Sequence, residues 1–276
     1  MTTSGPLDQS GLQRAVSGLT LTGAAEAVRE LHPSIGSTNE RARELGEGGA
    51  PEGSLVVALS QAQGRGRLGR VWSSPAGGLY LSLVLRPDEA MLRRLPVSLL
   101  AGLAAAEAID AQCGVRADLK WPNDVQVEGR KVAGILGELT RQGDGGHLLV
   151  LGIGVNLAVD MADLPPELQA VAGTLREAPR TPGPEGLLRE LLSRFEAHYL
   201  EVRRGGGALA LGQASARMPL LGKLVRVRLP GRTIVGTAVG LGATGALILS
   251  TEEGKREVVV AGEVEEVRLV PPGGPS

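Results

Sequence analysis

Apolar residues recur along the chain with two periods. Residues 54–59 (Ser-Leu-Val-Val-Ala-Leu) and 78–85 (Gly-Leu-Tyr-Leu-Ser-Leu-Val-Leu) are short apolar runs bounded by polar and glycine-rich stretches, which predicts buried strands. After Pro96, residues 97–112 are rich in Ala and Leu and nearly without charge, so a helix there must be buried against a sheet. Residues 115–119 read as a strand, and 125–127 with 132–136 flank Glu128-Gly129-Arg130-Lys131 in a hairpin pattern. A glycine-rich turn at 141–146 leads to a strand over 147–155, and strands joined by such tight turns predict an antiparallel sheet. Leu187, Leu188, Leu191, Leu192, Phe195 and Tyr199 follow at helical spacing and mark a long amphipathic helix covering that sheet. Beyond Met218 the pattern changes to short apolar runs at 224–229, 233–239, 246–250, 257–260 and 265–270, which predict a small β-barrel. Residues 1–24, rich in Ser, Thr and Gly, predict a frayed arm leading into a short helix over 24–31. Residues 165–184 predict a proline-rich excursion around a short helix near 174–177.

Composition narrows the function classes. The 276 residues carry a net charge of −1, which argues against general affinity for nucleic acid. One cysteine, Cys113, excludes a disulfide framework and a cysteine metal cluster, and His32, His147 and His198 lack metal-ligand spacing. Neither a signal peptide nor an apolar run of membrane-spanning length is visible, so a soluble, cytoplasmic protein is expected. Arginines outnumber lysines 25 to 4, and two of the four lysines, Lys120 and Lys131, fall in one short segment.

The candidate chemistry lies in a few polar stretches at strand ends. Gly64-Arg65-Gly66-Arg67-Leu68-Gly69-Arg70 alternates mobile backbone with fixed positive charge, a composition suited to phosphate and carboxylate. Its letters also fit a dinucleotide fingerprint, but Val71-Trp72-Ser73-Ser74-Pro75 comes next and no helix can open there. Ser37-Thr38-Asn39-Glu40 forms a capping box, with Ser37 as N-cap and Glu40 three residues on; it leaves Thr38 and Asn39 beside free helix amides. Glycines 134, 137, 152 and 154 inside strands suggest either a sheet face closely approached by a ligand or another backbone, or plain bulges.

These stretches, with Gly78-Leu79-Tyr80-Leu81-Ser82, Lys120-Trp121-Pro122-Asn123-Asp124, Arg130-Lys131-Val132-Ala133-Gly134-Ile135-Leu136 and Gly152-Ile153-Gly154-Val155-Asn156, occur in the order found in biotin protein ligases, which the chain resembles over nearly its whole length after residue 30. The resemblance implies an α+β fold: a class II synthetase-like mixed sheet packed with helices, followed by a small SH3-like C-terminal β-barrel. It implies domains at 27–217 (catalytic) and 218–276 (C-terminal), after a flexible arm at 1–26. It also implies that biotin and MgATP give biotinyl-5'-AMP, from which a lysine of a biotin carboxyl carrier protein takes the biotinyl group. Only 36 residues precede Ser37, with no helix-turn-helix pattern. The monofunctional type, without specific DNA binding and as monomer or homodimer, is therefore expected. A lipoate-protein ligase shares this chemistry but is not expected to carry the arginine loop, and a ligand-sensing transcription factor would need a basic reading helix.

Joining a carboxylate to the α-phosphate of ATP forces two anions together, so cations of fixed geometry are required. Matched position by position, the resemblance implies Arg67 as a clamp on the biotin carboxylate and adenylate phosphate, Lys131 as the cation at the reacting centre, and Arg65 as a biotin or phosphate contact. Ser37, Thr38 and Gln61 would bond the ureido ring, and Gly134 and Leu136 would offer backbone and apolar contact to biotin. Arg70, Trp72, Asn123 and Asn156 would serve the nucleotide, with Trp72 over the adenine and magnesium carried by the ATP. Asp124 is either the acceptor of the incoming lysine's proton or the partner of Lys131 or Lys120 in a salt bridge. Lys120 and Trp121 are expected to be structural supports. The loop over residues 63–77 is expected to be disordered without ligands and to close over them, because its glycines make ordering costly and its arginines repel one another.

Overall fold

The protein is described by a computed structural model over residues 5–143, 145–260 and 262–266. In chain order its elements are α1 (Gln9–Val16), β1 (Arg29–His32), α2 (Thr38–Glu47), β2 (Leu55–Ala58), β3 (Leu79–Leu85), α3 (Glu89–Leu92), α4 (Val97–Cys113), β4 (Ala117–Lys120), β5 (Asp124–Val127), β6 (Arg130–Arg141) and β7 (His147–Val155). There follow α5 (Pro166–Gln169), α6 (Pro184–Arg203), α7 (Ala208–Ser215), β8 (Leu224–Leu229), β9 (Arg232–Leu241), β10 (Leu247–Ser250), β11 (Arg256–Val259) and β12 (Glu263–Glu266).

Seven strands make one mixed sheet in the order β1-β2-β3-β7-β6-β5-β4, in which only β1 and β2 run parallel. Strand alternation sorts its residues between two faces. Leu81, Leu83, Leu151, Ile153, Ala133 and Ile135 point into a large core with α4 and α6. Val56, Val84, Leu148 and Val150 point the other way and pack with Ala42 of α2. On that second face the register sets Gly134 opposite Gly154 and Leu136 opposite Gly152, and α2 does not reach all of it. Sequence periodicity therefore both builds the core and leaves a glycine-floored depression on its back. The β5–β6 connection is a tight turn at Glu128 and Gly129, both at positive φ (51° and 78°), a conformation that glycine adopts without strain.

Three expectations are corrected. Residues 24–31 do not form a helix. Arg29–His32 is a strand pairing in parallel with Leu55–Ala58, because a sheet edge beside β2 overrides the helix propensity of an Ala/Glu-rich segment. The frayed arm is likewise replaced over 9–16 by α1. Asp8 Oδ1 caps it by accepting from Gly11 N–H at 2.7 Å, and Leu12, Ala15 and Val16 are fully buried. Below α1 the buried Glu196 carboxylate accepts the N–H groups of Thr20, Leu21 and Thr22 and the Thr22 hydroxyl at 2.7–3.0 Å. The third concerns the capping box. Ser37 does occupy the N-cap of α2, but its side chain makes no capping bond, and Glu40 turns to Arg65 instead.

The C-terminal strands form a five-stranded antiparallel sheet, β11-β10-β9-β8-β12. The last expected strand, 265–270, is represented by β12, and residues 267–270 lie outside the described part. This sheet docks beside the large one: Trp121 Nε1 donates to the Gly245 carbonyl at 3.2 Å, and Arg70 pairs with Glu263.

Candidate active site

The glycine-floored depression opens into a cleft of about 590 Å³. Ser37, Thr38, Gln61, Arg65, Arg67, Arg70, Trp72, Asn123, Asp124, Lys131, Gly134, Leu136 and Asn156 all line it, so every residue expected to contact biotin or the nucleotide, or to take part in the reaction, faces one space. They divide into a neutral and a charged part.

The neutral part is built where the N-terminus of α2 meets β2 and β3. Gln61 follows β2, and its Oε1 accepts from Thr38 N–H at 2.8 Å and contacts Thr38 Oγ1 at 3.0 Å, while its Nε2 donates to Ser74 Oγ at 2.9 Å. Gln61 thus satisfies an orphan amide of the helix start, the task expected of a cap. Ser82 on β3 contacts Thr38 Oγ1 at 2.8 Å and Asn39 Oδ1 at 2.6 Å. Ser37, Thr38, Asn39 and Ser82 are all buried, and the network exists because Gly152 lacks a side chain: a Cβ there would come within 2.1 Å of Asn39 Oδ1.

In the charged part, Lys131 at the start of β6 sets its Nζ 2.6 Å from Asp124 Oδ1 and 4.9 Å from the centre of the Trp72 ring. Of the two partners considered for Asp124, Lys131 is the one it meets. Arg67 Nη1 donates to Asn123 Oδ1 at 3.1 Å, and Asn123 is held in turn by donating to the Ile135 carbonyl at 2.8 Å. Arg65 reaches Glu40 at 3.4 Å. The loop bearing these arginines folds back on itself through Trp72 N–H to the Gly64 carbonyl (3.0 Å) and Gly66 N–H to the Arg70 carbonyl (2.7 Å). At its far end the Tyr80 hydroxyl donates to the Pro75 carbonyl at 2.9 Å.

Trp72 lies flat on the sheet. A Cβ on Gly134 would meet its ring at 2.9 Å and one on Gly154 at 2.6 Å, so the strand glycines are approached by side chains of the chain itself. Its indole N–H and the Asn156 Oδ1 are buried without a hydrogen-bond partner, although Asn156 Nδ2 donates to the Gly173 carbonyl at 3.0 Å. A buried donor and a buried acceptor left open in one cleft suit a polar ligand that supplies both complements.

Two family models match the chain: biotin/lipoate A/B protein ligase over residues 31–156 and biotin protein ligase C-terminal domain over 220–265. The biotin--[acetyl-CoA-carboxylase] ligase of Mycobacterium tuberculosis is 33% identical over 95% of this chain and 97% of its own length; that of Paracoccus denitrificans is 36% identical over 83% and 96%. The chain belongs to the biotin protein ligase family. A solved structure of biotin protein ligase from Aquifex aeolicus in complex with biotin and ATP superposes with a TM-score of 0.75 at 32% identity, covering 88% of this chain and 99% of that one.

Some of the ligase cleft carries no mark in the sequence. Leu164, Leu168, Ala170, Val171 and Ala172 form one wall, held through Arg130, which donates to the Ala172 and Gln169 carbonyls at 2.9 and 2.7 Å. Gly262, Glu263, Val264 and Glu265 of the C-terminal sheet form another. Neither has a local signature; only the apolar spacing of Leu164 and Leu168 inside a polar excursion hinted at the first. Cys113 is buried, and its thiol is pushed up to about 11 by that burial. Trp121 is a buried support, whereas Lys120 lies exposed at the cleft rim.

Proposed function

We propose that this cleft carries out biotin activation and transfer with the division of labour its two parts suggest. The protein is a biotin--[acetyl-CoA-carboxylase] ligase: it activates biotin with MgATP to biotinyl-5'-AMP and pyrophosphate and passes the biotinyl group to a lysine of a biotin carboxyl carrier protein. The observation that carries the residue roles is the convergence of Arg65, Arg67 and Lys131 on the same cleft as a buried network of neutral hydroxyls and amides.

The ureido ring of biotin is a neutral polar edge and suits Ser37, Thr38 and Gln61, with Gly134 and Leu136 along the rest of the molecule. Its carboxylate then points to Lys131 and Arg67. Lys131 stabilises the charge that develops as the carboxylate attacks the α-phosphate, and Arg67 and Arg65 hold the resulting mixed anhydride. Each such contact is worth about 3 kcal/mol in the transition state. Trp72 covers the base, Asn156 offers its open acceptor to the exocyclic amine of adenine, and Arg70 and Asn123 complete the nucleotide side. Magnesium arrives with ATP as part of the substrate. Asp124 gives one oxygen to Lys131 and uses the other to take the proton of the incoming carrier lysine.

In this reading residues 27–217 form the catalytic unit and 218–276 a second packing unit that closes one side of the cleft. The loop over 63–77 tightens when anions neutralise Arg65 and Arg67. Hydrogen exchange of its amides should slow on adding biotin and again with an adenylate analogue; equal protection throughout would show a preformed loop. The activity is tested by mass analysis of an acceptor carrier domain incubated with the protein, ATP, magnesium and biotin, with lipoate as competitor. One biotinyl adduct on a single lysine is expected, and a lipoyl adduct in its place would overturn the assignment.

A further inference from the structure

Glu138 lies on β6 two residues beyond Leu136, on the same sheet face but outside the cleft lining. Its Oε2 accepts from Asn39 Nδ2 at 2.7 Å, and its Oε1 faces Arg43 at 3.0 Å and Arg65 at 3.9 Å. An ionised carboxylate only accepts hydrogen bonds, so Asn39 must turn its amide nitrogen toward Glu138 and its oxygen toward Ser82. The Ser82 hydroxyl must then donate across the 2.6 Å contact. Its proton being committed there, the Thr38 hydroxyl supplies the only proton for two further contacts, to Ser82 Oγ at 2.8 Å and to Gln61 Oε1 at 3.0 Å, the latter already accepting from Thr38 N–H. Two hydroxyl protons thus serve three oxygen–oxygen contacts. Thr38, Asn39 and Ser82 are buried, where water cannot supply the missing donor cheaply.

We propose that Glu138 is a positioning residue for ligand specificity: through Asn39 it imposes this proton deficit, so the neutral end of the cleft presents surplus lone pairs and selects a ligand with N–H donors, the ring N–H groups of a cyclic urea. The inference rests on the biotin reading and extends it to a residue that does not touch the ligand. Glu138→Gln reverses the order. Arg43 and Arg65 demand an acceptor, so the new amide turns its oxygen to them and its nitrogen to Asn39. Asn39 flips, donates to Ser82, and returns one proton to the hydroxyl pair. A second substitution, Asn39→Asp, then restores an acceptor facing both Ser82 and the amide introduced at position 138, and re-establishes the original order.

The test measures biotin-dependent pyrophosphate release with biotin and ATP varied separately. E138Q is expected to raise the KM for biotin about tenfold, the effect of one poorly matched buried hydrogen bond, with kcat and the KM for ATP little changed. The N39D/E138Q pair is expected to recover to within about twofold, which a packing role would not give. An unchanged biotin KM in E138Q, or no recovery in the pair, overturns the proposal. Should E138Q not fold, Asn39→Leu leaves two hydroxyl protons for the two remaining contacts, Ser82 to Thr38 and Thr38 to Gln61, and is expected to raise the biotin KM likewise; no rise overturns the proposal equally. Absence of biotin-dependent release by the unaltered protein would instead remove the functional reading on which the proposal stands.

Discussion

The two parts of the cleft are built on opposite principles. At the α2 end, protein groups bond mainly one another, in a chain running from Ser74 through Gln61, Thr38, Ser82 and Asn39 to Glu138, buried at its centre. At the loop end, Arg67, Arg70 and Lys131 each rest on a single polar partner among the described residues: Asn123, Glu263 and Asp124. A neutral, rigid ligand edge is met by a surface whose geometry is fixed in advance, which lowers the ordering cost of binding. Charge that moves during the reaction is met by side chains that can exchange one partner for another. Damage at the first end should appear in binding and stability together, and at the second in chemistry with the fold intact.

The largest expected effect is at the charged end. Lys131→Gln should reduce adenylate formation by about a hundredfold or more, because it deletes the cation at the reaction centre. Its place on a partly exposed hairpin should leave the thermal unfolding midpoint close to that of the parent. Pyrophosphate release beside a melting curve checks both, and a folded variant with near-normal release would contradict the role. Arg67→Gly comes next. Losing one charge-assisted contact should speed escape of the adenylate by roughly tenfold to a hundredfold. Stray lysines on bystander proteins should then be labelled, and unchanged adenylate retention would argue against a clamp.

Gly152→Ala probes the neutral end. Its new Cβ would lie 2.1 Å from Asn39 Oδ1, so overpacking should destabilise the protein by about 1–3 kcal/mol and raise the biotin KM. The same methyl at Gly154 meets the indole of Trp72, carried on a loop with room to shift, and should cost less stability. Equal losses at the two glycines would erase the distinction between a fixed and an adaptable end. The smallest effect belongs to Arg70→Ala. Arg70 and Glu263 form an exposed pair, for which less than about 1 kcal/mol of stability is expected. A large drop in melting temperature would show that the C-terminal sheet depends on this contact.

The cleft was legible in the sequence because its residues come in short, chemically biased stretches at strand ends, and a strand such as Leu55–Ala58 aims the residues just past its end, Gln61 and the arginines among them. Elements fixed by distant partners were not. β1 is a strand only because β2 lies beside it, and its own residues favour a helix. The capping box failed at Ser37 because Gln61, 23 residues away from Thr38, supplies the capping oxygen from the segment that follows β2. Glu138 stayed silent since its meaning depends on Asn39, 99 residues away and brought near only by the sheet register. Lys131, whose partner Asp124 lies close in sequence on the other strand of the β5–β6 hairpin, was readable for the converse reason.

The clasp of Glu196 on Thr20, Leu21 and Thr22 spans 174 to 176 positions of sequence. During synthesis at roughly 5 to 20 residues per second, residues 20–22 therefore wait on the order of 10 to 35 s for the helix that will hold them. Throughout that interval Leu12, Ala15 and Val16, fully buried in the finished fold, lack α6, the helix against which α1 packs. The nascent ligase thus carries an adhesive segment at α1, and its yield in a cell should depend on how well that segment is shielded until translation passes α6.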